Sequence, residues 1–283
     1  MKKKYYVFNF LLIVTGVIIL TACQNQNDPS NGKVLYLSKI KTNGKLTTEY
    51  IYDNSKYVQR INTYDTLTGT INSYNTYEYT KNNKVSKIHY FNKSTGTSQQ
   101  YMSTGLYIFL FDNQDLIIKA NYYTSETSTT INSYSVYVYN LVKQCIKYTN
   151  YNNDSTHTER YSYVNDYNGD DRVKCSYYNG SILKATFNYT YDDKVNYSKN
   201  LSTTTILYSP HNTLTYSSPD AVSNGGVVDT NGGVMVAFNK VSVLSYPNTS
   251  TFTYNSYNYP IKQTMNYILK PKKVDIKDFE YIE

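Results

Sequence analysis

The side chains that most often do chemistry are few in this sequence and stand far apart. Its three histidines, His89, His157 and His211, form no His-x-x-x-His motif and no cluster with cysteine, so we predict no metal and no cofactor. The acidic stretch Asp166–Asp171 looks like a calcium loop, but its glycine is misplaced and no glutamate follows at the required spacing. We therefore interpret it as a hairpin loop. No local pairing of a nucleophile with a base is visible, so we predict no catalytic residues and expect that the chain is not an enzyme.

The clearest chemical signal is one cysteine near the N-terminus. A lysine-rich start, Lys2-Lys3-Lys4, precedes an apolar run over residues 7–20. That run is shorter than the roughly 20 apolar residues of a membrane span and is typical of a signal peptide. It ends in Leu20-Thr21-Ala22-Cys23, which resembles the lipobox of bacterial lipoproteins. The resemblance implies cleavage before Cys23 and lipid attached to it, which anchors the chain at the outer membrane of a cell envelope, on either face.

These signals divide the chain into three parts. Residues 1–22 are the predicted signal peptide, and residues 23–33 form a polar, lipid-anchored tether. Residues 34–283 form a single β domain built from repeats. The signal peptide holds three lysines and no acidic residue, so its removal lowers the formal net charge from +7 to +4. Because this excess is mild and the arginines are scattered, we expect no binding to nucleic acid.

The composition of the domain favours β structure. The chain has 36 tyrosines among 283 residues and no tryptophan. It is poor in alanine and leucine, the residues that dominate helical bundles. So many aromatic and β-branched side chains also argue against disorder, because folded proteins bury such surface. The composition therefore predicts an all-β protein.

A recurring Tyr-x-Tyr strand predicts the architecture. Over most of the chain the copies are about 28 residues apart, and a second β-like stretch follows most of them. Each unit therefore forms one antiparallel hairpin, and turn dipeptides such as Asn43-Gly44 and Asn179-Gly180 suit it. We predict an antiparallel meander that forms a large curled sheet or a barrel-like half-barrel. The copies are Tyr50-Ile51-Tyr52, Tyr77-Glu78-Tyr79, Phe109-Leu110-Phe111, Tyr137-Val138-Tyr139, Tyr161-Ser162-Tyr163, Tyr189-Thr190-Tyr191 and Tyr257-Asn258-Tyr259.

Strand alternation places both aromatics of each copy on one face of the sheet, the Tyr-rich face. Three interpretations of this face stay open: cross-strand aromatic pairs that stabilise the sheet, a platform for a glycan, or a surface for a partner protein. The opposite face carries polar residues such as Glu78 and Thr190, whereas a membrane barrel needs an unbroken apolar band. We therefore expect that the sheet does not span the membrane.

Two copies extend the motif to Tyr-x-Tyr-Asp, ending at Asp53 and Asp192. Together with the preceding Gly44 and Gly180, they resemble the YD repeat of Rhs-type shells. The chain is also similar to envelope lipoproteins of Bacteroidota that carry degenerate YD-like hairpins, including an uncharacterised family described as having a porin-like fold. The resemblance implies a curled antiparallel sheet, an envelope location and no assigned activity.

The Tyr-x-Tyr pattern lapses at about residues 199–248, where we predict a loop excursion with one hairpin near residues 234–246. Two function classes remain open. One is a lipid-anchored, non-enzymatic binding or structural module, whose ligand is a glycan or a protein. The other is a glycan-processing hydrolase with its site in this excursion. Glycoside hydrolysis needs paired carboxylates, and the excursion offers only Asp220 and Asp229, which disfavours the hydrolase.

Cys145 and Cys175 provide a test of the meander. They lie in the second strands of successive hairpins, with the Tyr161-Ser162-Tyr163 strand between them. Two strands that flank a third are about 9.6 Å apart, whereas a disulfide needs Cα atoms within about 7 Å. We predict two free, partly buried thiols.

Overall fold

The computed structural model describes residues 33–94, 100–198, 200–201, 211–217, 248–267 and 273–283. The predicted signal peptide, Cys23 and the expected hairpin near residues 234–246 lie outside the described residues. The described residues form sixteen β-strands and no helix that is long and apolar enough to cross a membrane. The strands are β1 (Tyr36–Thr42), β2 (Lys45–Tyr52), β3 (Val58–Tyr64), β4 (Ile71–Tyr79), β5 (Val85–Lys93), β6 (Tyr101–Phe111), β7 (Ile117–Tyr123), β8 (Ser133–Tyr139), β9 (Cys145–Asn152), β10 (Glu159–Asn168), β11 (Asp171–Asn179), β12 (Ile182–Val195), β13 (His211–Ser217), β14 (Asn248–Tyr254), β15 (Pro260–Tyr267) and β16 (Val274–Ile282).

Every strand pairs antiparallel with the next one along the chain, which confirms the predicted all-β meander. β1 also pairs with β16, from Tyr36 opposite Ile282 to Thr42 opposite Lys277. The sheet therefore curls into a closed barrel, and neither terminal strand is left as an unpaired edge. We call its two ends the turn end and the loop end. Strand connections at the turn end include residues 53–57, 80–84, 112–116 and 140–144, and those at the loop end include residues 65–70, 94–100, 124–132 and 153–158.

One type of turn recurs at the turn end. The Asp53 carboxylate accepts hydrogen bonds from the backbone N–H groups of Ser55, at 2.8 Å, and Tyr57, at 2.9 Å. Lys56 supplies the positive φ, at 65°. Asp and Asn side chains favour such turns because they can bond to the backbone two residues on. Asp53, the aspartate of the first Tyr-x-Tyr-Asp copy, is therefore a turn-forming residue, whereas Asp192 of the second copy lies within β12. The same role falls to Asp112, Asn140 and Asn255.

Near the ends of six strands, a tyrosine donates its hydroxyl to a backbone carbonyl on the preceding strand. Tyr139 Oη lies 2.9 Å from the carbonyl oxygen of Ile117. A β-bulge directly precedes Tyr139, which increases the local twist of the strand. Phe111 occupies the corresponding position at the end of β6 and has no hydroxyl. The other pairs are Tyr52 with Leu37, Tyr79 with Val58, Tyr167 with Cys145, Tyr191 with Arg172 and Tyr281 with Pro260.

The Tyr-rich face lies inside the barrel, where most of it is hydrophobic core. The rings of Tyr148 and Tyr163 are buried and stack with their centroids 4.9 Å apart. Phe109, Val85 and Ile117 belong to the same buried cluster. These rings stabilise the sheet and are not exposed as an outer platform.

The connection after β12 enters the interior beside β1 and β16. The ring of Tyr197 is buried and stacks on Phe279, with centroids 4.7 Å apart, and both pack against Leu37. Asn200 Nδ2 donates a hydrogen bond to the carbonyl oxygen of Leu35 at 2.8 Å. The described residues of this segment therefore occupy the interior beside β1 and β16.

The structure corrects two details of the sequence interpretation. Tyr257-Asn258-Tyr259 lies in the turn between β14 and β15, and the strand that ends there carries Phe252-Thr253-Tyr254 instead. β13 lies within the expected loop excursion at residues 199–248. Its alternating, threonine-rich sequence is typical of a strand but lacks the Tyr-x-Tyr signal on which the prediction relied.

The predicted strand order around the two cysteines is confirmed. β10 lies between β9, which holds Cys145, and β11, which holds Cys175. Both thiols are free and buried. Burial raises the pKa of Cys145 to about 12 and that of Cys175 to about 11, so both stay protonated and unreactive.

The outer face of the barrel carries charged and polar pairs between neighbouring strands, alongside exposed apolar side chains such as Leu110 and Val138. Lys41 pairs with Glu280 at 2.5 Å across β1 and β16. Glu49 accepts hydrogen bonds from the Tyr64 hydroxyl at 2.7 Å and from Asn62 Nδ2 at 3.1 Å. These bonds, that of Tyr64 foremost, lower the pKa of the Glu49 carboxyl.

Candidate functional site

A polar chamber inside the barrel, at the loop end, is the strongest candidate site. Its volume of about 310 Å³ lies at the small end of the range of ligand pockets, about 300–1,000 Å³. Its wall combines tyrosine rings with amide and hydroxyl side chains and one arginine. The lining residues are Thr63, Ser73, Asn75, Tyr90, Asn92, Thr104, Gly105, Tyr107, Tyr122, Asn132, Ser133, Asn150, Arg160 and Tyr161.

Four tyrosines of the Tyr-rich face form the aromatic part of the wall. The ring centroids of Tyr107 and Tyr122 are 4.9 Å apart, and Tyr90 meets Tyr107 edge-on at 5.8 Å. Burial raises the pKa of Tyr90 and Tyr107 above the usual tyrosine value and that of Tyr161 to about 12. All three hydroxyls therefore stay neutral and can donate or accept hydrogen bonds. Such rings offer a ligand a flat apolar surface with a polar tip.

Gly105 makes room for one of these rings. A Cβ atom at this position would lie 2.8 Å from Tyr122 Cε2, closer than real Cβ contacts allow. The Tyr122 hydroxyl also donates a hydrogen bond to the backbone carbonyl of Thr104 at 3.3 Å. The glycine therefore lets the Tyr122 ring lie against the wall of the chamber rather than across its space.

Two β-bulges shape the wall. Between β5 and β6 the extra residue is Thr104, and between β9 and β10 it is Arg160. Each extra residue stands beside one that also lines the chamber, Gly105 or Tyr161. Because a bulge interrupts strict alternation, it re-aims a side chain that would otherwise point outward. The bulge in β10 thus places a cation in an otherwise uncharged wall.

Asn150 carries the polar group of the chamber that is most clearly unsatisfied. Its side chain is 6 % exposed. Nδ2 donates to Ser135 Oγ at 3.1 Å and to the carbonyl oxygen of Tyr134 at 3.3 Å. The carbonyl oxygen of Tyr134 can only accept a hydrogen bond, so the amide nitrogen of Asn150 must face it. This fixes the orientation of the Asn150 amide. Oδ1 is buried and has no hydrogen-bond partner among the described residues, which costs about 1–3 kcal/mol.

The residues that the sequence analysis considered for chemistry lie elsewhere. His89 is on the outer face, between the carboxylates of Glu78 at 2.9 Å and Glu126 at 2.6 Å. His157 lies in the turn before β10, and His211 is the first residue of β13. Among the residues that the structure describes, no group of three or more His, Cys, Asp and Glu side chains is arranged so that it could hold a metal ion. The acidic stretch Asp166–Asp171 is a tight hairpin between β10 and β11.

None of the chamber residues was singled out individually by the sequence analysis. The signal available was the Tyr-rich face itself, which contributes Tyr107 and Tyr161 to the wall. Near the loop end the inward positions change from aromatic residues to Ser73, Asn75 and Asn92. That change in polarity was visible in the sequence, whereas the bulges at Thr104 and Arg160 were not.

Comparison with known proteins finds similarity among solved structures. No family model matches the chain, and no curated protein does. Among solved structures, the chain is similar to a porin-like protein from Bacteroides uniformis, with 10 % identity, a TM-score of 0.40, and coverage of 87 % of this chain and 98 % of that chain. It is also similar to a porin-like protein from Bacteroides vulgatus, with 8 % identity, a TM-score of 0.40, and coverage of 88 % and 99 %. Structural neighbours are thus porin-like proteins, and likeness at this level carries no information about function.

Proposed function

We propose that this chain is a non-enzymatic binding protein of the cell envelope that holds a small polar ligand, of the size of a mono- or disaccharide, in the chamber. The chamber itself, whose wall combines four tyrosine rings with amide and hydroxyl side chains, is the observation that carries this proposal. Tyrosine rings, amides and hydroxyls are the groups that bind sugars, because they match both the apolar faces and the hydroxyls of a pyranose.

The filling of the barrel supports binding rather than passage. Towards the turn end, the interior is occupied by the tyrosine cluster around Tyr148 and Tyr163. Beside β1 and β16 it is occupied by the segment that carries Tyr197. The described interior therefore offers a ligand a pocket with a floor.

The composition of the chamber wall supports a non-enzymatic role. Its described residues include no Asp, Glu, His or Cys, so they offer a bound ligand no carboxylate, imidazole or thiol as a general acid, general base or nucleophile. The hydrolase alternative requires such groups elsewhere.

We further propose that Cys23 carries the lipid that anchors the chain, and that the barrel does not span the membrane. The lipobox-like sequence supports the first part. The ion pair of Lys41 with Glu280 on the outer face of the sheet supports the second, since charges there oppose burial in lipid. A Cys23→Ala variant should lose metabolic palmitate labelling and leave the membrane fraction. A variant that still labels would refute the anchor assignment.

A glycan array followed by affinity measurements tests the binding function. The full-length chain is screened on the array, and the best ligand is titrated against Asn150→Ala and Asn165→Ala. Asn165 is a matched control, because it is buried, faces inward and donates a hydrogen bond to the carbonyl of Cys145 at 3.0 Å. Its Oδ1 also has no hydrogen-bond partner among the described residues, but Asn165 does not line the chamber. We expect Asn150→Ala to weaken binding about tenfold and Asn165→Ala to leave it within twofold. Failure to bind any glycan, or equal losses in both variants, would contradict the proposal.

A further inference from the structure

We infer that the turn end of the barrel rests on a membrane surface, without crossing it, through an apolar rim formed by Leu110, Ile118, Val138, Leu141 and Val142. Each of these side chains is at least 43 % exposed, and that of Leu141 is fully exposed. The first three lie in the successive strands β6, β7 and β8 near the turn end, and the last two lie in the turn that follows β8. Exposed apolar groups on neighbouring strands mark an interaction surface, whereas single scattered ones need no explanation.

The position of Lys33 identifies a bilayer as the partner. Lys33 is the first described residue, and its ammonium group lies 5.1 Å from the centroid of the Tyr257 ring, in the turn between β14 and β15 at the turn end. The proposed lipid anchor, Cys23, precedes Lys33 by ten residues, which span at most about 35 Å. The inference rests on that part of the proposed function, because the chain continues towards its anchor from the turn end and so brings this end to the bilayer.

The rim and the start of β1 lie on opposite sides of the turn end. The closed sheet has sixteen strands, and β9, which follows the turn that holds Leu141, is eight strands from β1 in either direction. A tether at one point leaves the barrel free to tilt, whereas a second contact across the same end holds it upright. The chamber, at the loop end, is then kept on the side of the barrel away from the bilayer.

The chemistry of the rim fits shallow insertion between lipid headgroups. Leucine, isoleucine and valine gain free energy when their exposed surface leaves water. In the strand register Lys119 stands opposite Leu110, and Lys147 stands opposite Val138. Such side chains lay their stems along apolar surface and keep the ammonium group among water and headgroups, which limits the depth of insertion. The neighbouring turn also carries Asp115, so the contact relies on apolar burial rather than on anionic lipid.

Tryptophan fluorescence of the full-length chain in phosphatidylcholine vesicles tests the inference. The chain has no tryptophan, so Leu141→Trp introduces a single indole that can be excited without exciting tyrosine. Leu67→Trp is the matched control, since Leu67 is 88 % exposed in the turn between β3 and β4 at the loop end. In vesicles of brominated phosphatidylcholine, which quenches nearby indoles, the emission of Leu141→Trp should fall about twofold or more and shift to shorter wavelength. That of Leu67→Trp should not change.

A second reporter shows whether the rim acts as a unit. Ile118→Trp should also be quenched by the brominated lipid, because Ile118 lies in the same rim. Adding Leu141→Asp should reduce that quenching about twofold or more, because a carboxylate at the tip of the rim opposes insertion. Residue 141 lies in an exposed turn, so this change leaves the core of the barrel intact. Quenching of Ile118→Trp that does not respond to Leu141→Asp would overturn the role of the turn.

Flotation of the vesicles separates this inference from the proposed function. A chain that floats with the vesicles while Leu141→Trp is quenched no more than Leu67→Trp overturns the rim and leaves the anchor in place. A chain that floats with a quenched Leu141→Trp but carries no palmitate refutes the anchor and supports the rim, and a chain that does not float refutes both. In the Cys23→Ala background without vesicles, a shift to shorter wavelength that grows with protein concentration would show a second copy of the chain on the rim and overturn the inference.

Discussion

The repeated bond between a tyrosine hydroxyl and a strand carbonyl predicts opposite effects of two single-atom changes. Tyr139→Phe removes the 2.9 Å hydrogen bond to the carbonyl of Ile117. The net value of such a bond is about 0.5–1.5 kcal/mol. Phe111→Tyr adds a hydroxyl at the one corresponding position that lacks it, where the equivalent acceptor is the carbonyl of Val85 at the start of β5. We therefore expect a loss of about 1 kcal/mol in the first variant and a gain of similar size in the second.

Urea denaturation followed by circular dichroism measures both changes. In a protein of this size, 1 kcal/mol corresponds to about 2–4 °C in melting temperature, so thermal scans provide a second readout. Tyr177→Phe is the control, because this inward tyrosine packs on Tyr163 but its hydroxyl bonds to none of the described residues. Its stability should be unchanged. If Tyr139→Phe matches Tyr177→Phe, or if Phe111→Tyr destabilises the protein, the hydroxyl bond is not the reason for the repeat.

Three further predictions concern the chamber, pH and the thiols. Gly105→Ala should push the Tyr122 ring into the chamber, which should lower ligand affinity at least tenfold and cost about 1–3 kcal/mol of stability. A ligand affinity equal to that of the wild type would contradict the close contact between residue 105 and the Tyr122 ring. The lowered pKa of Glu49 means that its contribution to stability is present above the ordinary value of 4.5 and is lost as the pH falls through the lower folded value. Glu49→Gln should therefore flatten the fall in urea midpoint over that acidic range, and an unchanged slope would refute the assignment. Thiol titration without reductant should find both Cys145 and Cys175 free in the denatured protein, and both should react slowly in the folded protein. A disulfide between them, found by mass spectrometry, would refute the strand order.

The sequence predicted the strands because their signal is local. Alternation places Tyr137 and Tyr139 on one face whatever the rest of the chain does, and Asn43-Gly44 forms its hairpin turn from its own backbone preferences. The closure of the sheet was not predictable, because the pairing of β1 with β16 depends on the accumulated twist and curvature of all the strands between them.

The chamber was hidden from sequence analysis for a similar reason. Strict alternation assigns Arg160 and Tyr161 to opposite faces, and only the bulge in β10 brings both to the chamber. The bulge depends on how β10 pairs with β9, and no single residue type in the sequence indicates it. The Tyr-rich face was predicted as a whole, but which of its rings would be core and which would line a pocket depends on what fills the barrel.

The pairing of β1 with β16 also constrains how the polypeptide reaches its final state. During synthesis β1 emerges early, and its outer edge stays without a partner until β16, residues Val274–Ile282, has been made. Contacts so distant in sequence slow folding, because the chain must order the intervening strands before the two ends meet. An exposed strand edge during this interval can pair with another chain. A ribosome that stops before residue 274 would therefore release an open sheet with two unpaired strand edges. Quality control of nascent chains should thus matter more for this protein than for one built from helices with local contacts.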